Sequence, residues 1–166
     1  MGDVIYRPFT AADALAVYDV ALEAWQYTYR DIYDTAYIAA FVHLHYAPDR
    51  LVTLMPQVAS GAMFFQVAVA ETQLVGFCHM GITTDGAELH RMYLRPAYMS
   101  RGIGQTLLQH GEAFVAAHGF AQYFCFVHQA NELGKQFYLR HGFRHRAERD
   151  QGEEWYMQKT LTQGHV

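Results

Sequence analysis

Residues 98–111 read YMSRGIGQTLLQHG, with two glycines one residue apart, Gly102 and Gly104, standing directly before an apolar run at helical spacing. A glycine pair at the mouth of a helix either makes a tight bend or bares backbone N–H groups toward a phosphate. The flanks bear on the choice. Upstream, residues 63–71 (MFFQVAVAE), 74–82 (LVGFCHMGI) and 87–94 (AELHRMYL) read as three strands, with the turn signal Asp85-Gly86 between the last two. That is an antiparallel meander. Downstream, Ile103, Leu107, Leu108, Gly111, Phe114 and Val115 share one face of a helix that Gly119 stops. The glycines therefore sit where a strand ends and a helix begins, and there unpaired N–H groups and the positive end of the helix dipole converge. Such a junction suits a phosphate or pyrophosphate.

Working outward, a short apolar start (VIYRPF, residues 4–9) leads to Thr10 and Asp13, a capping-box signal, and then to Leu15, Tyr18, Leu22 and Trp25 at helical spacing. A second helix is expected near Asp34 with Tyr37, Phe41 and Leu44 on one face. Pro48 opens a third with Leu51, Leu54, Met55 and Val58, which Pro56 kinks or shortens. After the glycine helix come a strand at residues 121–127 (AQYFCFV) and a helix from Asn131 to His141, ended by Gly142. Residues 143–149 and 153–161 then read as a closing hairpin across 150–152. Helices, meander, helix, strand, helix, hairpin imply an α/β (α+β) fold, a mixed sheet flanked by helices.

The 166 residues suit one domain, 1–166, and 52% hydrophobic against 17% charged residues is a globular balance. Twelve Lys and Arg against sixteen Asp and Glu give a net charge of -4, which argues against nucleic acid as a partner and favours a cation. No run is long and apolar enough to predict a membrane span, and no targeting leader is evident in MGDVIYRPFT. Cys78 and Cys125 lie in apolar stretches, so buried free thiols in a reducing, cytoplasmic compartment are expected.

Two phosphate-binding readings fail on missing residues. A nucleoside-triphosphate loop needs Lys-Ser/Thr after the last glycine, where Gln105 and Thr106 stand. A dinucleotide fingerprint needs a third glycine where Leu107 stands. His43, His45 and His79, or His141 with His145, show no zinc-type spacing, so no metal is expected. The flanks Phe124 and Phe126 make Cys125 an inert thiol rather than a nucleophile.

From Glu88 to Phe143 the chain resembles the GNAT superfamily of acyl-CoA-dependent N-acyltransferases. The pyrophosphate loop of that family runs Gln/Arg-x-x-Gly-x-Gly/Ala. MSRGIG carries both glycines and departs from the pattern at Met99. A second family segment appears as NELGKQFYLRHGF, residues 131–143, with Asn131, Tyr138, Gly142 and Phe143 in place. The resemblance implies a mostly antiparallel sheet of about six to seven strands, acetyl-CoA as co-substrate, and direct attack by an amine in a ternary complex. It implies that the backbone of Met92, Tyr93 and Leu94 runs along pantetheine. Arg101, Gly102, Ile103 and Gly104 would supply N–H groups to pyrophosphate, and Asn131 would contact the cofactor arm or serve as a helix cap. Arg95, Lys135 and Arg140 are open to the remaining phosphate or to solvent.

Transfer to an amine requires the neutral form, about one molecule in a thousand at neutral pH for a pKa of about 10.4, a cost of roughly 4 kcal/mol. Glu88 aligns with a family position for a catalytic base, against the plain alternative of a solvated strand end. His90, two residues on, is a second base or a relay for water. Tyr138 matches the family's general acid, against the alternative of a core tyrosine. The stretch AWQYTYRDIYDTAYIAAF, residues 24–41, resembles bacterial polyamine acetyltransferases, so the acceptor is a small-molecule amine, a polyamine among them, or a peptide amine. The alternative function is a non-catalytic acyl-CoA-binding module, and a homodimer stays open as a further partner.

Overall fold

The computed structural model describes residues 2–162. Seven strands form one sheet in the order β1-β2-β3-β4-β5-β7-β6. They are β1 (Val4–Pro8), β2 (Met63–Ala70), β3 (Gln73–Thr83), β4 (Gly86–Leu94), β5 (Gln122–His128), β6 (Arg144–His145) and β7 (Glu154–Thr160). Every pairing is antiparallel except β4 with β5. The helices are α1 (Ala14–Thr28), α2 (Thr35–Tyr46), the short α3 (Pro48–Val52) and α4 (Met55–Ala59), α5 (Ile103–Ala117) and α6 (Glu132–Arg140). Two cores result, one on each sheet face. Leu107, Leu108 and Val115 of α5 pack with Val75, Met80 and Leu89, while Val17, Val20 and Ala21 of α1 and Ile38 and Val42 of α2 pack with Val67 and Phe77. Covered on both faces, β3 is buried from Leu74 to Gly81. None of the helices among the described residues is long and apolar enough to cross a membrane.

The meander, the glycine helix and the Asn131-capped helix form where the sequence places them. The apolar start is more than a lead-in: Val4–Pro8 pairs with Ala70–Gln66 as an edge strand. The closing hairpin is reduced on its first side. Only Arg144 and His145 pair with β7, and Ala147–Arg149 turn as a short 3-10 helix, because that charged stretch has no alternating apolar face to bury. The third helix breaks at Pro56 into α3 and α4, as Pro chemistry requires.

Two helix faces differ from the spacing read in the sequence. In α1 the buried residues are Ala14, Val17, Val20, Ala21, Ala24 and Trp25, while Leu15 is outside. Small residues let the helix sit close on β3. In α2 the core takes Ile38, Val42 and Tyr46, and Tyr37 and Leu44 are exposed. Apolar residues occur all round α2, so periodicity cannot select a face. Gly111 shows how closely α5 approaches the sheet: a Cβ there would stand 2.2 Å from Met80 Cε.

The decisive irregularity is in β4. Its pairing with β3 shifts between His79↔Arg91 and Met80↔Leu89, leaving His90 as an extra residue, a β-bulge. Leu89 and Met92 face the α5 core, but His90 lies against His79 and Arg91 over Tyr46, so two successive side chains share the α2 face. The parallel pairing with β5 covers only Ala87↔Tyr123 and Glu88↔Phe124. Beyond it the strands diverge, and the wedge between them is a groove.

Candidate active site

The groove has a volume of about 1170 Å³. One wall is β4 from Leu89 to Leu94, the other Phe126, Val127 and His128 of β5, and its ends are closed by the glycine turn and by α1, α2 and α6. From Leu89 onward the β4 edge facing β5 has no strand partner, so its backbone is open to an extended ligand.

At the glycine end, Gly102 is the N-cap of α5 with φ +82°, a left-handed conformation that favours glycine. A Cβ on Gly102 would touch nothing within 4 Å, so the backbone there faces open space. The first helical hydrogen bond runs from Thr106 N–H to the Gly102 carbonyl, 3.1 Å, and leaves the N–H groups of Ile103, Gly104 and Gln105 ahead of it. Gly104 lets Phe137 come close, its missing Cβ lying 3.3 Å from that ring. These features fit a pyrophosphate followed by a pantetheine arm. Met99, Gly102 and Gly104 line the groove, as do Met92, Tyr93, Leu94 and Asn131. Ile103 buries its side chain in the core and Arg101 lies over the Tyr98 ring at 5.1 Å, so neither side chain enters the groove. Asn131 caps α6, accepting Gly134 N–H at 2.8 Å, and its amide reaches the Tyr29 hydroxyl at 3.5 Å. Of the three cations open for a further phosphate, Arg95 is bound to Glu23 at 2.6 Å and Lys135 to Glu132 at 2.7 Å, while Arg140 lines the groove.

Tyr138 lines the middle of the groove with its ring against Phe137 and Phe143. Its hydroxyl makes no hydrogen bond among the described residues, and burial holds its phenol well above the ordinary value of 10, so it stays protonated. His90 also lines the groove; Glu88 does not, and meets it only through His90, whose Nδ1 is 3.6 Å from Glu88 Oε1. His79 behind them is buried against Phe65, and desolvation pushes its imidazole down to about 3.

The opposite end is aromatic. Trp25 stacks between Tyr29 and Phe41, with centroids 4.3 and 4.2 Å away, and Tyr33 packs on Tyr37 at 4.4 Å. The Trp25 N–H lies near the Tyr46 and Tyr93 hydroxyls, yet in a geometry that leaves it without a hydrogen-bond partner. His128 accepts Ala130 N–H at Nδ1, 3.0 Å, and so carries its proton on Nε2, which faces Tyr33 Oη at 3.2 Å and Glu153 at 3.1 Å. Glu154 stands beside it, half-buried, with burial raising its carboxyl above the ordinary value. Tyr37 and Phe41 belong to the stretch 24–41 that carries the acceptor resemblance, whereas His45, His128, Glu153 and Glu154 have no local motif. They meet only because α2, β5 and the start of β7 surround one space.

The family model described as acetyltransferase (GNAT) domain matches residues 61–145. Over 154 residues, 92% of this chain, the sequence is 32% identical to spermidine N(1)-acetyltransferase of Thermoplasma acidophilum, covering 94% of that protein. This chain is a GNAT acetyltransferase. A solved structure of PaiA N-acetyltransferase from Thermoplasma acidophilum, in complex with coenzyme A, superposes on the acetyltransferase with a TM-score of 0.90 at 30% identity, over 96% of this chain and 99% of that one. A GNAT-family acetyltransferase from Staphylococcus aureus Mu50 shares the fold with a TM-score of 0.73 at 14% identity, over 96% and 100% of the two chains. The seven-stranded, mostly antiparallel sheet flanked by helices is thus the GNAT fold, and the enzyme is an acetyl-CoA-dependent N-acetyltransferase. Among the described residues of the acetyltransferase, no three potential metal ligands come together.

Proposed function

We propose that this enzyme acetylates a primary amine of a small polyamine by direct attack within the groove. The observation that carries the reading is continuity: one groove joins the glycine cradle, the Tyr138 hydroxyl and an aromatic acceptor end. The relative named spermidine N(1)-acetyltransferase, 32% identical over nearly the whole chain, supports the same acceptor class, as does the net charge of -4.

Acetyl-CoA supplies an acetyl thioester whose sulfur departs with negative charge. Gly102, Ile103 and Gly104 hold the pyrophosphate by backbone N–H groups at the positive end of α5, with Arg101 N–H beside them, and the open edge of β4 at Met92, Tyr93 and Leu94 takes the pantetheine amides. Tyr138 keeps a proton ready for the sulfur, since burial prevents its ionisation. His90 takes the proton of the attacking amine, and Glu88, 3.6 Å away, stabilises the imidazolium that results. Glu88 is therefore a positioning residue, reaching the reaction through His90. Residues 1–166 act in this reading as one domain working in the reducing cytoplasm, consistent with Cys78 and Cys125 being free and buried.

The test is thiol release from acetyl-CoA with spermidine, spermine, amino acids, aminoglycosides and short peptides. Polyamines are expected to give the highest kcat/KM. A peptide or aminoglycoside outperforming them would contradict the acceptor assignment, and acetyl-CoA binding without thiol release for any amine would leave only a binding module.

A further inference from the structure

Glu154 is a groove carboxylate with no part in the acetyl transfer itself. It opens β7 opposite His128, lines the aromatic end of the groove and is half-buried. Among the described residues its carboxylate has neither a hydrogen bond nor an ion pair. Its neighbour Glu153 is occupied by His128 and is 69% exposed. An unpaired carboxylate in a partly dry wall is costly, and the cost is recovered when a cation arrives. The protein groups nearest in charge are engaged elsewhere: His128, which acts on the Glu154 carboxylate across the strand pair, gives its Nε2 to Glu153 at 3.1 Å, and Arg91 is held over the Tyr46 ring at 4.4 Å and donates to the His45 carbonyl at 3.0 Å.

The surroundings of Glu154 have the chemistry of an ammonium site. Its charge acts on the phenols of Tyr29, Tyr33 and Tyr93. Tyr29 and Tyr33 lie 5.7 Å apart, continuing the ladder of Trp25, Phe41 and Tyr37. Ring faces with one carboxylate bind an alkylammonium better than either alone. The reacting nitrogen is excluded as the occupant, because a carboxylate beside it would favour the protonated form that cannot attack.

We propose that Glu154 is a specificity-determining residue that binds the non-reacting ammonium of the acceptor against Tyr29 and Tyr33, selecting diamines and longer polyamines over monoamines. This rests on the polyamine reading of the groove.

The test compares kcat/KM for putrescine, spermidine and butylamine in the wild type, Glu154→Gln and Glu154→Asp. The wild type is expected to prefer putrescine to butylamine. Glu154→Gln should shrink that preference about tenfold, the effect of losing one partly desolvated charge contact, with the change in KM rather than kcat. Glu154→Asp keeps the charge and should retain most of the preference. An undiminished preference in Glu154→Gln, or equal losses for both amines lying in kcat, would overturn the assignment of Glu154 and leave the polyamine reading standing. A wild type that acetylates none of the three amines would overturn the polyamine reading itself, and this assignment with it.

Discussion

Tyr138→Phe is expected to lower kcat about 100-fold or more, with acetyl-CoA affinity within about twofold of wild type. The substitution removes one oxygen and keeps the ring, which packs against Phe137 at 5.4 Å and Phe143 at 5.0 Å. Because the hydroxyl has no hydrogen-bond partner among the described residues, its loss leaves no donor or acceptor stranded, so the fold should be indifferent to it. What disappears is a proton held in place by a phenol that burial keeps neutral. A departing thiolate, with an ordinary thiol pKa of about 8.5, does not need that proton absolutely, which limits the loss to the range of general acid catalysis. Stopped-flow or steady-state thiol release measures kcat, and calorimetry measures the affinity. Unchanged kcat would remove Tyr138 from the acid role.

Gly102→Val and Gly104→Val are expected to act in the opposite way, weakening acetyl-CoA binding about 10- to 100-fold through the loss of one or more charge-assisted N–H contacts. At Gly102 the side chain would be strained by φ +82° and would project into open space beside the N–H groups proposed to hold the pyrophosphate. At Gly104 the added Cβ stands 3.3 Å from Phe137 and 3.6 Å from Leu94, and the valine methyls beyond it press further on that ring, so the Phe137 ring or the helix end with its N–H groups has to give way. The same calorimetric titration decides this. Normal affinity in both variants would undo the cradle.

The sequence carries the glycine junction, the meander and the cap at Asn131 because each is a local event, written in residues that turn, alternate or cap within a few positions of one another. Three things escaped it for physical reasons. The bulge at His90 has no sequence mark, yet it turns Arg91 to the face of His90 and opens β4 from β5. The face of α2 depends on tertiary contact, since Phe41 is as apolar as Ile38 and Val42 and the Tyr37 ring is largely so, and only packing sends the first pair to the groove and the second to the core. Glu153 and Glu154 sit far along the chain from Trp25 and Tyr29 and join them only across the sheet. Glu88 illustrates the converse: the resemblance selects it, and the structure sets its carboxylate behind His90 rather than in the groove.

Acetyl transfer is direct and takes place in a single groove, because the two thiols of the chain, Cys78 and Cys125, are buried and burial pushes both above the ordinary thiol range, which leaves neither as a carrier. Initial rates of thiol release, with acetyl-CoA and spermidine varied against each other, test it most directly. Reciprocal plots that intersect are predicted, because both substrates must occupy the groove together. Parallel lines, the signature of an acetylated enzyme formed before the amine binds, would contradict it.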